Sequence, residues 1–307
     1  MSDQVMLAAE TAARRWTAPA SGSIRPGSEE HKIAFCRMLL DTHNPYKPAV
    51  VEWPLLGEEA RRRLVSLPIW DIAVQTEGKA STRVLSYAAA IADPLLQEAV
   101  RLNGFEEARH KEVLANLVAA YGIPLAPEPE YRRPKHPRWA FLITGLSECI
   151  DSFFAFGLFA VARQSRFFPP ELVETFEPVM QEEARHILFF VNWLAWYRRN
   201  LEWWRRPWFY GVIAAAWIRL VRERIGMARG VGASRDEAPQ DNNFTLTGSK
   251  QVSDIDISPA ALFDLCLREN ERRMAGYDAR LLRPQTMPCL VRLACRFLRK
   301  PRPVTSA

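Results

Sequence analysis

Cysteine and histidine are scarce in this chain, and their spacing excludes several kinds of site. There are five cysteines among 307 residues, and no two of them form a Cys-x-x-Cys pair. The sequence therefore predicts neither a disulfide framework nor a cysteine-ligated zinc site, and it lacks the paired cysteines of a rubredoxin-like domain. A reducing compartment, the cytoplasm, is the expected location. Histidine is equally rare, with five residues.

The sequence also lacks a long hydrophobic run. The run most suggestive of a membrane span, PWFYGVIAAAWI, extends from Pro207 to Ile218. A helix needs about 20 residues to cross a bilayer, so this stretch is too short to span one. The N-terminal region carries Asp3 and Glu10 and shows no secretory signal.

Excess positive charge is confined to the C-terminal end. The net charge is +6, and residues 283–307 contain six basic residues and no acidic one. The rest of the chain is therefore balanced, and the basicity describes a tail. Such a tail favours an anionic membrane surface over nucleic acid, and we predict no nucleic-acid partner.

The patterning is helical throughout, with no run of alternating strand residues, so we predict an all-α protein. We divide it into an N-terminal extension (1–56), a bundle (57–203) and a C-terminal helical extension (204–307) with a polar loop (227–257) and the basic tail. Four long helices are expected at about 69–91, 94–121, 138–164 and 170–203, forming a four-helix bundle with one long crossover. Shorter helices are expected at about 3–15, 29–41, 207–225, 258–282 and 287–298.

One pentapeptide occurs twice. The sequence EEARH ends at His110 and occurs again ending at His186. In each copy the second glutamate, Glu107 or Glu183, is three residues before the histidine, so the two side chains share a helix face. Each copy alone is better explained as a solvated helix face, and the case for a site depends on the pair of copies.

The two hairpins supply a partner glutamate for each copy. Counting outward from the turn near Asp93 places Glu77 at the level of Glu107, and counting from the turn at 164–170 places Glu148 at the level of Glu183. Glu77 is the only acidic residue between Asp71 and Asp93. All four glutamates lie in largely apolar stripes. Since buried carboxylates carry a large desolvation cost, two divalent cations would balance them. Oxygen and imidazole donors suit iron or manganese.

This pattern, Glu, Glu-x-x-His, Glu, Glu-x-x-His over roughly residues 69–197, resembles the ferritin-like di-iron carboxylate superfamily. It looks like the oxygen-activating branch of this superfamily, which includes acyl-carrier-protein desaturases and arylamine N-oxygenases, and both motifs particularly resemble those of the desaturases. The resemblance implies a ferritin-like bundle with two Fe ions, or a Mn/Fe pair. The implied metal ligands are Glu77, Glu107, His110, Glu148, Glu183 and His186.

The resemblance also assigns roles around the ligands. It implies that Glu107 and Glu183 bridge the metals. Glu106 and Glu182 would accept a hydrogen bond from the histidine of the opposite motif, and Arg109 and Arg185 would neutralise these outer carboxylates.

Other polar residues near the predicted ligands have open roles. Asp151 is interpreted either as an outer acid, proton relay or additional ligand, or as a structural partner of Arg109 or Arg185. Thr144 and Ser81 either line a pocket or serve helix packing. We interpret His31, His43 and His136 as surface groups.

An aromatic cluster follows the second motif, and two interpretations stay open for it. It packs against the additional helices, or it forms an interfacial belt at a membrane or substrate entrance. Its members are Trp193, Trp196, Tyr197, Trp203, Trp204, Trp208, Phe209 and Tyr210.

Three functions are compatible with these patterns. The first is an O2-dependent di-iron oxidoreductase of the hydroxylase, desaturase or N-oxygenase type, with an external electron donor and an organic, apolar substrate. The second is a ferroxidase or peroxide-handling protein, and the third is a non-enzymatic scaffold peripheral to the inner membrane. A homodimer is also left open.

Overall fold

A computed structural model describes residues 3–45, 53–67, 69–165, 168–230 and 257–298. Within these ranges the protein is all-α, as predicted, and contains no strand beyond an isolated bridge between Trp16 and Tyr277. The helices are α1 (Asp3–Ala13), α2 (Glu29–Asp41), α3 (Glu58–Ser66), α4 (Trp70–Ala88), α5 (Pro94–Tyr121), α6 (Pro137–Ser165), α7 (Pro170–Thr175), α8 (Glu177–Asn200), α9 (Arg205–Gly230), α10 (Pro259–Met274) and α11 (Thr286–Leu298).

The long helices α4, α5, α6 and α8 pack around a common interior. The ends of α5 follow from local sequence. Asp93 accepts a hydrogen bond from the Leu96 backbone N–H at 2.9 Å and Pro94 occupies the first turn, while Gly122 ends the helix with a φ of 64°. A side-chain cap satisfies a free N–H at the start, and glycine adopts the left-handed conformation without strain at the end.

The N-terminal region is part of the core. Helix α2 packs against both α5 and α8, and its residues Phe35, Cys36, Met38 and Leu39 are 0% exposed. At about 0.8 kcal/mol per buried CH2 group, this face contributes substantially to stability. The predicted extension therefore closes the gap between α5 and α8 instead of lying over a finished bundle.

The predicted helix at 170–203 is divided in two, which corrects the sequence prediction. Helix α7 ends at Thr175, and α8 begins at Glu177 with Pro178 in its first turn. Proline lacks the N–H that a continuous helix would need at this position and clashes with the preceding turn. The sequence prediction also missed α3, whose glycine N-cap and first-turn glutamates, Glu58 and Glu59, mark its start.

The C-terminal helices also differ from their predicted bounds. Helix α9 continues to Gly230, past the predicted start of the polar loop, and α10 ends at Met274, well before the predicted end at 282. Residues 275–282 instead pair with the N-terminal region, where the Tyr277 hydroxyl donates to the Ala13 carbonyl at 2.6 Å. Most of the polar loop and the end of the basic tail lie outside the described residues.

One described helix is long and apolar enough by composition to cross a membrane. It is α6, where the apolar window within 137–164 has a mean hydropathy of 1.4 and is 61% buried. It packs on α4, α8 and α10, and Gly145 allows the Phe190 ring of α8 to lie against its backbone, since a Cβ at Gly145 would be 2.1 Å from that ring. This close contact between the two helices brings the carboxylate of Glu148, on α6, near α8.

Candidate metal centre

Four helices each present one of the predicted carboxylates to the same interior space. Glu77 comes from α4, Glu107 from α5, Glu148 from α6 and Glu183 from α8. Ligand atoms of Glu77, Glu107, His110 and Glu183 all lie within 4.8 Å of one another, a spacing that a bound metal ion would fit.

His186 lies beside this group, with its Nδ1 2.9 Å from Glu107 Oε1. Glu148 is near enough for its carboxyl group to interact electrostatically with Glu107, Glu183 and His186. The structure thus brings together all six residues that the resemblance assigned as ligands.

The first glutamate of each EEARH copy binds the histidine of the other copy. His110 Nε2 donates to Glu182 Oε2 at 2.8 Å, and His186 Nε2 donates to Glu106 Oε2 at 2.8 Å. With the proton on Nε2, a neutral imidazole has its lone pair on Nδ1, which faces the inner carboxylates. A histidine held in this orientation could bind a metal ion through Nδ1.

The arginine of each motif binds the first glutamate of the other motif. Arg185 is 0% exposed, and its Nη1 donates to both oxygens of Glu106, at 2.9 and 3.1 Å. Its remaining groups donate to Thr42 Oγ1 and to the Leu39 carbonyl at the end of α2. Arg109 donates to Glu182 and to the Asn44 carbonyl. Each buried outer carboxylate therefore has a cationic partner.

His43 is part of this outer layer, so its interpretation as a surface group was wrong. Its side chain is 23% exposed, and Nδ1 lies 2.7 Å from Glu106 Oε1. His31 was also misjudged, since it is 0% exposed and pairs with Asn192 at 2.9 Å. His136 is exposed as expected. The burial of His31 and the partial burial of His43 were missed because their partners are distant in the sequence, and such contacts produce no regular spacing of residues.

Several polar atoms that face the centre have no hydrogen-bond partner among the described residues. They are Glu107 Oε1, Glu148 Oε1, His110 Nδ1 and His186 Nδ1. Although His110 Nδ1 lies 3.1 Å from Glu183 Oε1, the geometry does not form a hydrogen bond. Two atoms that bind one metal at about 2.1 Å and at right angles are about 3 Å apart. These atoms therefore fit metal ligands better than hydrogen-bonding groups.

Three of the four inner carboxylates lack counter-charge, whereas the nearby His110 lowers the pKa of Glu183 despite its burial. Burial and the nearby Glu183 charge raise the pKa of Glu107 to about 8. Burial and the charges of Glu107 and Glu183 raise the pKa values of Glu77 and Glu148 well above the ordinary range. The protein alone thus favours protonated carboxyl groups on Glu77, Glu107 and Glu148, and divalent cations would allow these three to ionise.

The outer carboxylate Glu106 behaves in the opposite way. Burial alone would raise its pKa, but the Arg185 charge and the hydrogen bonds from His186 and His43 hold that pKa well below the ordinary range. Glu106 is therefore ionised at neutral pH. The outer layer is charged and satisfied, whereas the inner layer is left with unmatched groups.

The remaining polar residues have identifiable contacts. Asp151 accepts a hydrogen bond from Ser147 at 2.9 Å, and the Ser81 hydroxyl donates to the Gly104 carbonyl at 3.0 Å. The Thr144 hydroxyl is buried without a partner among the described residues. Ser152, which the sequence did not single out, donates to Glu183 Oε2 at 2.9 Å. Ser152 therefore fixes the orientation of one inner carboxylate.

An apolar cavity of about 230 Å³ adjoins the centre. Helices α3 to α8 all contribute to its wall, which includes Leu67, Ala162 and Phe176. Among the described residues of this wall, Glu77 and His110 are the only ionisable side chains, and neither Thr144 nor Ser81 belongs to it. An apolar molecule in this cavity would meet the carboxylate cluster at one end.

The chain matches no protein-family model, and no curated protein or solved structure is significantly similar to it. Its function is therefore argued from the geometry of the site.

Proposed function

We propose that this protein is a ferritin-like di-metal carboxylate oxidoreductase that uses O2 and an external electron donor to oxidise an apolar organic substrate. The observation that carries the proposal is the set of unpartnered buried atoms on Glu107, Glu148, His110 and His186, directed into one interior space. Burial of unpaired polar groups is costly, and two divalent cations would satisfy these atoms together.

The donor set is the basis for proposing iron. Four carboxylates and two imidazoles, with no thiolate among them, suit Fe(II), or a manganese–iron pair, better than a closed structural zinc site. When bound, the metal pair supplies the oxygen activation and the redox chemistry. Glu77, Glu107, Glu148 and Glu183 hold it together with the two histidines.

The protein residues have three tasks in this proposal. Glu106 and Glu182 keep the proton of each histidine on Nε2, so that Nδ1 is free to bind metal. The nearly complete burial of Glu107, at 1% exposure, limits contact of water with this carboxylate. The cavity wall positions the substrate beside Glu77 and His110.

The cavity is the reason for proposing an apolar substrate. An apolar cavity of about 150 Å³ is large enough to hold benzene. The cavity beside this centre, at about 230 Å³, accommodates a somewhat larger hydrocarbon or aromatic group. Its described lining has no lysine or arginine to pair with a carboxylate or phosphate group. A charged substrate would therefore have to keep its charged end outside the cavity.

Metal content tests the first half of the proposal. Protein purified from iron-supplemented cells should contain about two iron ions per chain, and Glu107→Gln should lose at least half of them. Glu112→Gln is the matched control, because Glu112 is an exposed glutamate on the same helix. Fewer than one metal ion per chain in the unmodified protein would refute the proposal.

Oxygen consumption tests the second half. With reduced iron, O2 uptake should increase with apolar compounds of about ten non-hydrogen atoms. Ala162→Phe narrows the cavity away from the ligands and should abolish this increase while leaving iron content unchanged. Uptake that stays independent of every organic compound and of the Ala162 substitution would instead support ferroxidase activity.

A further inference from the structure

The aromatic cluster after the second EEARH motif is divided between the interior and the surface. Trp193 is 0% exposed and Phe209 is 9% exposed, so packing accounts for these two. In contrast, Trp203 is 76% exposed and Trp208 is 78% exposed. We use the name α9 surface for the exposed apolar side chains Trp203, Trp204, Trp208, Tyr210 and Ile218.

Helix α9 is apolar on its outer side as well as on its inner side. Its inner side buries Phe209, Ala216 and Leu220 in the protein. Every exposed residue between Arg206 and Arg219 is apolar apart from the Tyr210 hydroxyl. A stretch of helix that is apolar all round is normally covered on all sides, so the outer side of α9 is a docking surface.

The ends of this surface are strongly basic. Residues 198–223 contain six arginines and two glutamates and have no lysine or aspartate, which gives a net charge of +4. Arg205 and Arg206 stand at one end of the apolar stretch and Arg219 stands at the other, and Arg205 and Arg219 are also paired with Glu202 and Glu223. The occupant of the surface therefore has to be apolar in the middle and anionic around it.

We propose that the α9 surface binds the headgroup region of an anionic membrane, with α9 parallel to the bilayer plane. Tryptophan and tyrosine side chains prefer this region, and arginines beside an apolar helix face are attracted to anionic headgroups. The apolar stretch is about 18 Å long at 1.5 Å per residue, so it lies on a membrane and does not cross it.

The charge pattern argues against a second copy of the chain as the occupant. In an antiparallel two-fold pair, Arg205 and Arg206 of each copy would face the Arg219 end of the other. In a parallel pair, each arginine would face its own equivalent. Both arrangements bring ends of net positive charge together around the apolar centre, whereas an anionic lipid surface neutralises that charge.

Sedimentation with lipid vesicles tests the proposal on the full chain. The protein should bind vesicles of an equimolar phosphatidylcholine–phosphatidylglycerol mixture and bind phosphatidylcholine alone at least about tenfold more weakly, and added salt should weaken the binding. The double variant Trp203→Ser/Trp208→Ser should reduce binding to the anionic vesicles at least about tenfold. Its circular dichroism and iron content should match those of the unmodified protein.

Two matched substitutions locate the effect. Leu55→Ser removes a fully exposed leucine elsewhere, and Leu293→Ser removes a leucine that is 49% exposed on the amphipathic helix α11. Both variants should retain most of the binding. Absence of binding, binding that survives the double tryptophan substitution, or binding lost only with Leu293→Ser would overturn the proposal. A dimer in sedimentation velocity that the tryptophan substitutions dissociate would overturn it as well.

Discussion

Glu106 provides a quantitative test of the outer layer of the site. It is 0% exposed and accepts hydrogen bonds from Arg185, His186 and His43. Glu106→Gln keeps the shape of the side chain but leaves the Arg185 guanidinium, also 0% exposed, without its counter-charge. Removing one partner of a buried ion pair costs about 3–5 kcal/mol.

The equivalent substitution in the second motif, Glu182→Gln, is the matched comparison. Its partner Arg109 has a side chain that is 12% exposed and also donates to the Asn44 carbonyl. Arg109 can still donate hydrogen bonds to solvent and to this carbonyl. We therefore expect the free energy of unfolding to fall by about 1–3 kcal/mol, as for the loss of a charged hydrogen bond. The two variants therefore differ in stability although their sequence contexts are the same.

Urea unfolding of the metal-free proteins measures both losses without a contribution from metal binding. Adding Arg185→Met to Glu106→Gln should restore part of the stability, because the unpaired buried charge is then removed. Equal losses for Glu106→Gln and Glu182→Gln, or no recovery in the double variant, would contradict the assignment of Arg185 as a buried charge held by Glu106.

The remaining predictions concern pH and packing. Since the pKa of Glu107 is raised to about 8 from 4.5, the folded metal-free protein binds more protons than the unfolded chain, and its stability should fall as pH rises from about 5 to about 8. The lowered pKa of His31 opposes this trend below about pH 6.5. In the presence of a chelator, the melting temperature should fall between about pH 6.5 and about pH 8. Bound Fe(II) or Mn(II) should remove this pH dependence. A melting temperature of the metal-free protein that rises over the same range would refute the reasoning. Gly145→Ala should destabilise by about 1–3 kcal/mol, because the new methyl group would overlap the Phe190 ring. Gly211→Ala on the open side of α9 should stabilise by about 0.5–1 kcal/mol, and urea midpoints that reverse this order would contradict the packing.

The sequence predicts those parts of the fold that depend on local chemistry. The bounds of α5 follow from the Asp93 cap, Pro94 and Gly122, and the bounds of α2 and α11 agree with the helical pattern to within a residue. Long-range packing is not encoded in this local way. The burial of α2 between α5 and α8 depends on the shape of a gap that exists only in three dimensions.

The two layers of the candidate site also differ in how much of them the sequence predicts. The inner glutamates could be located by counting from the turns, because helix geometry fixes the level of each residue. The histidine contacts of Glu106 and Glu182 agree in direction with the resemblance, but Thr42, His43 and Asn44 could not be foreseen. They reach the site from the end of α2, far ahead of the first motif in the chain, and no periodicity links the two segments.

Segments outside the two motifs make the two sides of the site different, although the motifs themselves are identical. The apolar cavity reaches Glu77 and His110, and the lining does not include Glu148 or His186. On the opposite side, His186 is hydrogen-bonded through Glu106 to the partly exposed His43. One side of the centre thus adjoins the apolar cavity, while the other is linked by hydrogen bonds to the partly exposed His43. The repeated pentapeptide supplies the two histidines and the glutamates that bind them, and the unrepeated helices α2, α3 and α7 make the two sides of the cluster different.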